Sequence, residues 1–236
     1  MSSIHPAATR LVALLALTAL VLGACGAAAT PAPDPTSATS APTPVVTAPA
    51  ATLAAGGTWT ITGGSKATVR VREQLVGVSA PSDAVLVASG GKGSFSLKPD
   101  GTFSDDSRLS FDLSTLASDQ RGRDDFSKRT TLAVQQFPTA DLVPVKATGL
   151  TVPLPASGDF TFKLAGKLTI HGVTKDVTFD VVAKRAAGDL TATATLNPAV
   201  KFGDFGMTAP SVPTRVISVV DEIRLVVDLV ASGPAN

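Results

Sequence analysis

KLTIHGVTKDVTFDVVA, residues 167–183, is the stretch whose reading decides the fold. Leu168 and Ile170 alternate with Thr169 and His171, and Gly172-Val173-Thr174 makes a turn. Val177, Phe179 and Val181 then alternate with Asp176, Thr178 and Asp180. Period-two alternation on both sides of a glycine-containing connection specifies an antiparallel β-hairpin with one buried face.

The pattern repeats outward from this hairpin. Upstream, Trp59 and Ile61 open a strand that Gly63-Gly64-Ser65 breaks, after which Ala67, Val69, Val71 and Leu75 share a face with one misfit, Glu73. A short apolar run follows over residues 84–88. Gly93, Phe95 and Leu97 then lead to a Pro99-Asp100-Gly101 turn, a combination that presets the first turn dihedral and supplies a positive one. Phe103 starts a further strand, with Leu109, Phe111 and Leu113 on one face; after Pro138, Val143, Val145 and Ala147 share another. Phe160, Phe162 and Leu164 precede the hairpin. Ala192, Ala194 and Leu196 follow it, and Ile223, Leu225, Val227 and Leu229 close the series.

Residues 118–132, SDQRGRDDFSKRTTL, interrupt the alternation. They are charged, carry Ser118 and Asp119 as candidate N-caps, and read as one short surface helix crossing between strands. Eight to ten consecutive short-looped strands close best into an up-and-down barrel, which removes exposed sheet edges. The expected fold is therefore all-β: an extended antiparallel barrel of about eight strands with a helix at 118–132. A filled sandwich is the alternative. The small side chains of Ala192 and Ala194 argue for space inside the barrel.

Composition narrows the function. The chain has 236 residues, 17% of them charged, with 20 basic and 19 acidic side chains. Loss of residues 1–24 removes Arg10 and no acid, leaving zero net charge and no electrostatic footprint for nucleic acid or an anionic membrane. Two His and one Cys leave little for a metal site and nothing for an intramolecular disulfide. Residues 11–22, LVALLALTALVL, are too short to span a bilayer and sit where a signal-peptide core belongs. Leu22-Gly23-Ala24-Cys25 resembles a bacterial lipobox, which implies cleavage after residue 24 and a lipid on Cys25. Acyl chains there would anchor the protein at the outer face of the cell membrane or in the envelope. Residues 26–55 are almost wholly Ala, Pro, Thr, Ser and Val with Asp34 the sole charge, a composition expected to stay disordered and act as a tether. The expected layout is a signal peptide at 1–24, lipidated Cys25 and linker to 56, a barrel domain at 57–231 and a tail at 232–236.

Four stretches carry a resemblance: Phe137-Pro138-Thr139-Ala140; residues 168–175, LTIHGVTK, continuing through VTFDV; Asp204-Phe205-Gly206-Met207; and Asp221-Glu222-Ile223. In this order, with Arg123-Asp124 in the preceding helix, they resemble the YceI-like polyisoprenoid-binding proteins over residues 57–230. The resemblance implies a lipocalin-like barrel exported to the bacterial envelope, binding a long isoprenoid inside. The chain departs from the family pattern at Phe126-Ser127, where the helix commonly reads His-Leu, and it lacks a common His-Ser pair in the first strands.

An apolar-tail carrier needs a dry tunnel and no nucleophile. The expected lining residues are Val69, Val71, Phe111, Phe162, Leu168, Ile170, Phe179, Ala192, Ala194, Leu225 and Val227, each of which could instead simply pack a core. Glu73, Arg121 and Arg123 are candidate head-group contacts, set against an edge or bulge position for Glu73 and a solvated mixed-charge face for the arginines. His171 is expected to stabilise its turn. Gly90-Gly91-Lys92-Gly93-Ser94 lacks the ending and the following helix of a phosphate loop. No Ser-His-Asp or Cys-His set can be assembled, so an enzyme is not expected, and no metal or cofactor beyond the bound lipid is required. The competing function is an envelope interaction module with a filled barrel that binds protein. The oligomeric state stays open, a dimer among the options.

Overall fold

The computed structural model describes residues 57–234, and these form an antiparallel barrel. The strands are β1 (Trp59–Ile61), β2 (Lys66–Leu75), β3 (Ser82–Ser89), β4 (Lys92–Phe95), β5 (Arg108–Asp112), β6 (Thr139–Thr148), β7 (Ser157–Ile170), β8 (Val173–Ala186), β9 (Asp189–Leu196), β10 (Val216–Val219) and β11 (Arg224–Ser232). The ring runs β1-β4-β5-β6-β7-β8-β9-β11 and closes where β11 pairs β1. β2 and β3 prolong β1 and β4, so β1/β2 and β3/β4 each act as one broken strand of an eight-stranded barrel.

The break is built, not accidental. Ser65 is fully buried; its hydroxyl donates to the Val230 carbonyl at 3.2 Å and accepts from the Val230 N–H at 2.9 Å, standing in for a missing ladder partner. Its carbonyl accepts the Gly90 and Gly91 N–H groups across the break. Glycine is required on that side: a Cβ on Gly93 would lie 1.9 Å from the Arg108 carbonyl oxygen, and one on Gly91 2.9 Å from the Phe111 ring. The glycine run dismissed as a phosphate loop is thus a strand joint.

The expected central hairpin is present. β7 and β8 pair over their whole length, Ser157 with Ala186 through Ile170 with Val173, and Val177, Phe179, Val181 and Ala183 point inward, buried. One face assignment fails. Of Val143, Val145 and Ala147 only Ala147 is buried, because β6 shifts register between Pro144 and Lys146; Leu142 is the inward residue before the shift and Val145 is exposed. Phe103 makes only an isolated bridge to Leu97, and the next true strand begins at Arg108.

The crossover at 113–138 holds a 3-10 turn (Leu113–Thr115), α1 (Arg121–Phe126) and a π-helical turn (Ser127–Thr131). The N-cap is Gln120, not Ser118 or Asp119, and its side chain makes no cap bond. Ser118 instead donates its N–H and hydroxyl to Asp124, at 2.8 and 2.6 Å, from outside the helix. The long connection after β9 contains a 3-10 turn, Gly203–Phe205, and β10, which pairs only the end of β2.

The strand registers sort the connections into two ends. The ends of β2 and β7, the crossover with α1, and the 197–223 connection share one. Gly57, the 96–107 and 149–156 loops, the β8–β9 turn and residues 233–234 share the other. That second end is filled. Trp59, 1% exposed, stacks on Phe95 with ring centroids 6.3 Å apart, and the buried Arg185 guanidinium lies 5.0 Å over the Trp59 ring. Arg185 also donates to the carbonyls of Leu154, Pro155, Ala187 and Pro234, gathering loop, turn and C-terminal segment around the plug.

Candidate functional site

The other half of the barrel is hollow. A cavity of about 380 Å³ runs from the level of Ala67, Ala88 and Val227 toward the end that carries α1. It reaches solvent between α1 and the 210–216 segment, where the lining residues Gln120, Gly122 and Arg215 are exposed. Its wall is almost wholly aliphatic and aromatic, supplied by the inward positions of β2, β3, β5, β7, β8 and β11, because alternate residues of a half-buried strand share one face.

Of the expected lining residues, Val69, Val71, Phe111, Leu168, Ile170, Phe179, Leu225 and Val227 stand in this wall. Phe162, Ala192 and Ala194 do not. They face inward on β7 and β9 at the filled end and pack into the core with Val181 and Ala183, their ladder partners. Small side chains on β9 therefore do not make the space; the space lies beside Ala67, Ala84 and Ala88 on β2 and β3. Alternation had placed Ala67 inward, and the 84–88 apolar run held the other two.

Polar groups gather at the mouth. Glu73 faces inward and is 7% exposed, and Arg123 Nη2 donates to its Oε1 at 2.7 Å. Arg123 Nη1 pairs with Asp119 one turn earlier. Glu73 is thus neither an edge nor a bulge residue, and Arg123 leaves the mixed-charge surface to neutralise it. Arg121 is exposed and outside the wall, while Arg129 stays at the surface near Asp125, 3.8 Å away. Thr131, in the π turn, also lines the cavity; its hydroxyl is the one buried side-chain polar atom without a hydrogen-bond partner among the described residues. Leaving such a group unmatched costs about 1–3 kcal/mol, and π turns recur where a fold trades regularity for a site.

Asp141 marks the cavity edge on β6. Burial raises its pKa, but hydrogen bonds from Arg108, Ser110 and Thr139 and the Arg108 charge outweigh burial and hold the carboxyl below the ordinary carboxylate value. Arg108 contacts both its oxygens, at 3.0 and 2.8 Å. His171 serves the fold: its backbone is left-handed, its ring lies 4.6 Å from Phe137, and Nδ1 is 3.3 Å from the Phe205 carbonyl. It ties the β7–β8 turn to the 203–205 turn rather than bracing its own. No group of three His, Cys, Asp or Glu that could hold a metal occurs among the described residues.

Arg215 and Thr131 escaped the sequence reading. Arg215 had a signal, being the single charge within residues 205–220; Thr131 had none. Cys25 and the linker lie outside the described residues. No described helix is long and apolar enough to cross a membrane.

Comparison with known proteins agrees with this architecture. A polyisoprenoid binding domain from Saccharophagus degradans, implicated in plant cell wall breakdown, superposes with TM-score 0.56 at 13% identity, covering 75% of this chain and 98% of its own. BcnA from Burkholderia cenocepacia gives TM-score 0.52 at 18% identity, covering 71% and 96%. At such identities the likeness is one of fold. Two UPF0312 proteins from Pseudomonas putida, strains F1 and KT2440, are 32% identical over 135 residues, which is 50% of this chain and 65% of theirs. The chain thus spans a little under two thirds of these relatives. The YceI-like domain model matches residues 58–231, the whole barrel, and the chain belongs to the YceI-like family.

Proposed function

We propose that the barrel binds a single-tailed amphiphile, a long isoprenoid lipid such as a polyprenyl chain or quinone, and sequesters or carries it at the bacterial cell envelope. The observation that carries this reading is the shape and polarity of the cavity: apolar along its depth, ending at the level of Ala67, Ala88 and Val227 where the packed half of the barrel begins, and polar only at the mouth around Glu73, Arg123 and Thr131. An apolar tail gains roughly 0.8 kcal/mol per buried CH₂, enough over several isoprene units to outweigh the cost of ordering a flexible chain. The Glu73–Arg123 pair is internally neutralised and the Thr131 hydroxyl lacks a partner, a combination suited to an uncharged, hydrogen-bonding head. The volume lies in the lower part of the roughly 300–1,000 Å³ range of ligand pockets. The neighbour from Saccharophagus degradans is itself described as a polyisoprenoid binding domain.

The lipobox-like sequence ending in Cys25 supports an acylated protein held beside the membrane that would supply such a ligand. The reading is one of binding, with no catalytic step assigned to any residue. Organic extraction and mass spectrometry of the full chain, purified from a bacterial host, test it. An isoprenoid near one per chain is expected. An extract that stays empty after incubation with quinones and polyprenyl phosphates would sink the carrier reading and favour a protein-binding envelope module.

A further inference from the structure

Six large hydrophobic side chains are exposed among the described residues, and four of them, Val76, Val78, Ile217 and Val220, sit on one structure. It is a flap in which the end of β2 and its turn pair with β10, Leu75 opposite Val216 and Glu73 opposite Val219. Backbone bonds extend the pairing, Val76 N–H to the Arg215 carbonyl and Val220 N–H to the Arg72 carbonyl. The flap is also the cavity rim: Leu75, Val216 and Val219 line the inside, while Val76, Ile217 and Val220 face solvent. Residues 74–82 and 205–220 together contain no acidic residue and one basic one, Arg215, where 25 residues at the chain average of 17% would carry about four charges. The Arg215 guanidinium stands 3.7 Å from the position of a Cβ on Gly122, across the mouth from the flap.

We propose that this flap docks the open end of the barrel onto a phospholipid bilayer, its valines and Ile217 entering the headgroup boundary and Arg215 meeting a lipid phosphate. Scattered exposed apolar residues are ordinary; four of six on one rim whose 25 residues at 74–82 and 205–220 carry a single charge are not. The rim is continuous with the apolar wall behind it, so a tail leaving the bilayer would pass from lipid to protein without crossing water. The lone cation matches phosphate chemistry. Chain length permits the orientation. Gly57 lies at the closed end, yet it is 32 residue steps from Cys25, a reach of up to about 105–115 Å fully extended, against about 45 Å for the 14 residues of β8. The inference deepens the carrier reading by giving the tail its route into the cavity.

Lipid quenching of tryptophan tests it in the full chain, which has a single tryptophan, Trp59, buried at the far end. Ile217→Trp and Val182→Trp each place a second tryptophan at a site of similar exposure, 64% and 60%, the latter on the barrel wall. The probe is a phosphatidylglycerol and phosphatidylethanolamine vesicle with brominated acyl chains. Emission from position 217 is expected to fall several-fold relative to unbrominated vesicles, with positions 182 and 59 nearly unchanged. Adding Val76→Glu and Val220→Glu to the Ile217→Trp chain should restore it. Unquenched emission at 217 overturns the proposal, including the case in which the free edge of β10 pairs with a protein strand instead. Equal quenching at 217 and 182, or quenching that the two glutamates leave untouched, overturns it as well. Quenching at 217 in a chain whose extract holds no isoprenoid removes the carrier reading and leaves the docking. Bound isoprenoid with 217 unquenched does the reverse.

Discussion

The two halves of this barrel are made from the same strands and differ in what crosses the lumen. At the closed end, Trp59 and Phe95 project across the interior and Arg185 seals them with four carbonyl contacts. At the open end, the β2 and β3 segments that prolong β1 and β4 carry Ala67, Ala84 and Ala88 beside a hollow interior. The Ser65 joint lies between the two, where β1 and β4 give way to β2 and β3. Ligand space is thereby confined to one end, and a substitution in the plug should change stability while sparing the ligand.

The largest effect belongs to the plug. Trp59→Ala removes a fully buried aromatic, its stack on Phe95 and the ring under Arg185, and should cost about 3–5 kcal/mol in urea unfolding. Lipid content per folded chain should not change, since Trp59 is outside the cavity wall. A Trp59→Ala protein that folds but releases its lipid would show that the two ends are not independent.

Next comes the ion pair at the mouth. Arg123→Leu strands the Glu73 carboxylate in an apolar wall and should cost about 2–4 kcal/mol, toward the lower side of the range for broken buried pairs because Arg123 keeps some solvent contact. The Glu73→Leu/Arg123→Leu double variant should recover most of that loss while changing which head groups are retained. If the double variant is as unstable as the single one, the pair's value lies in α1 docking and not in charge matching.

A filling experiment contrasts the halves directly. Ala84→Phe puts a ring into the cavity and should displace the lipid at a cost below about 1 kcal/mol, whereas Ala194→Phe must push into packed side chains and should cost about 1–3 kcal/mol with lipid retained. Thermal melts with extraction of each variant read both quantities. Reversed outcomes would place the hollow on the β9 side.

That last alternative is the one the sequence alone favoured, and the reason it failed is instructive. Alternation on β7 and β8 names the inward residues reliably, because face is a local property with period two. Empty volume is not local. Ala192 and Ala194 are small, yet their neighbours Val181, Ala183 and Phe162 fill the space; Ala84 and Ala88 are no smaller, yet they border the cavity. Arg123 and Arg121 were both candidates, and the sequence could not choose between them for a different reason. In an aperiodic charged segment nothing in the order of residues says which arginine turns inward, and only the misfit of Glu73 on an apolar face hinted that one must. The β6 register shift after Pro144 likewise moved Val145 outward with no cue in the alternation itself.

The smallest expected effect is in acid, and it belongs to the open half. Asp141 on β6 is held low by the balance described above. Asp83 on β3 is also lowered, first by the hydrogen bond from Arg224 at 2.7 Å, against a smaller opposing effect of burial. A carboxyl whose folded pKa lies below its unfolded value of roughly 3.9 stabilises the fold above that value, and the contribution is lost as pH falls through the folded pKa. At the closed end Asp100 is lowered too, by hydrogen bonds from Thr102 in the exposed 96–107 loop, but the plug itself is held by Arg185 through the carbonyls of Leu154, Pro155, Ala187 and Pro234, which do not titrate. Between about pH 5 and 2, amide exchange in β3 and β6 should therefore accelerate before exchange in β1 and β4. Asp141→Asn should flatten the fall of the melting temperature across that window. Loss of protection in β1 first, or an Asp141→Asn slope equal to that of the parent, would mean that acid acts through the barrel as a whole.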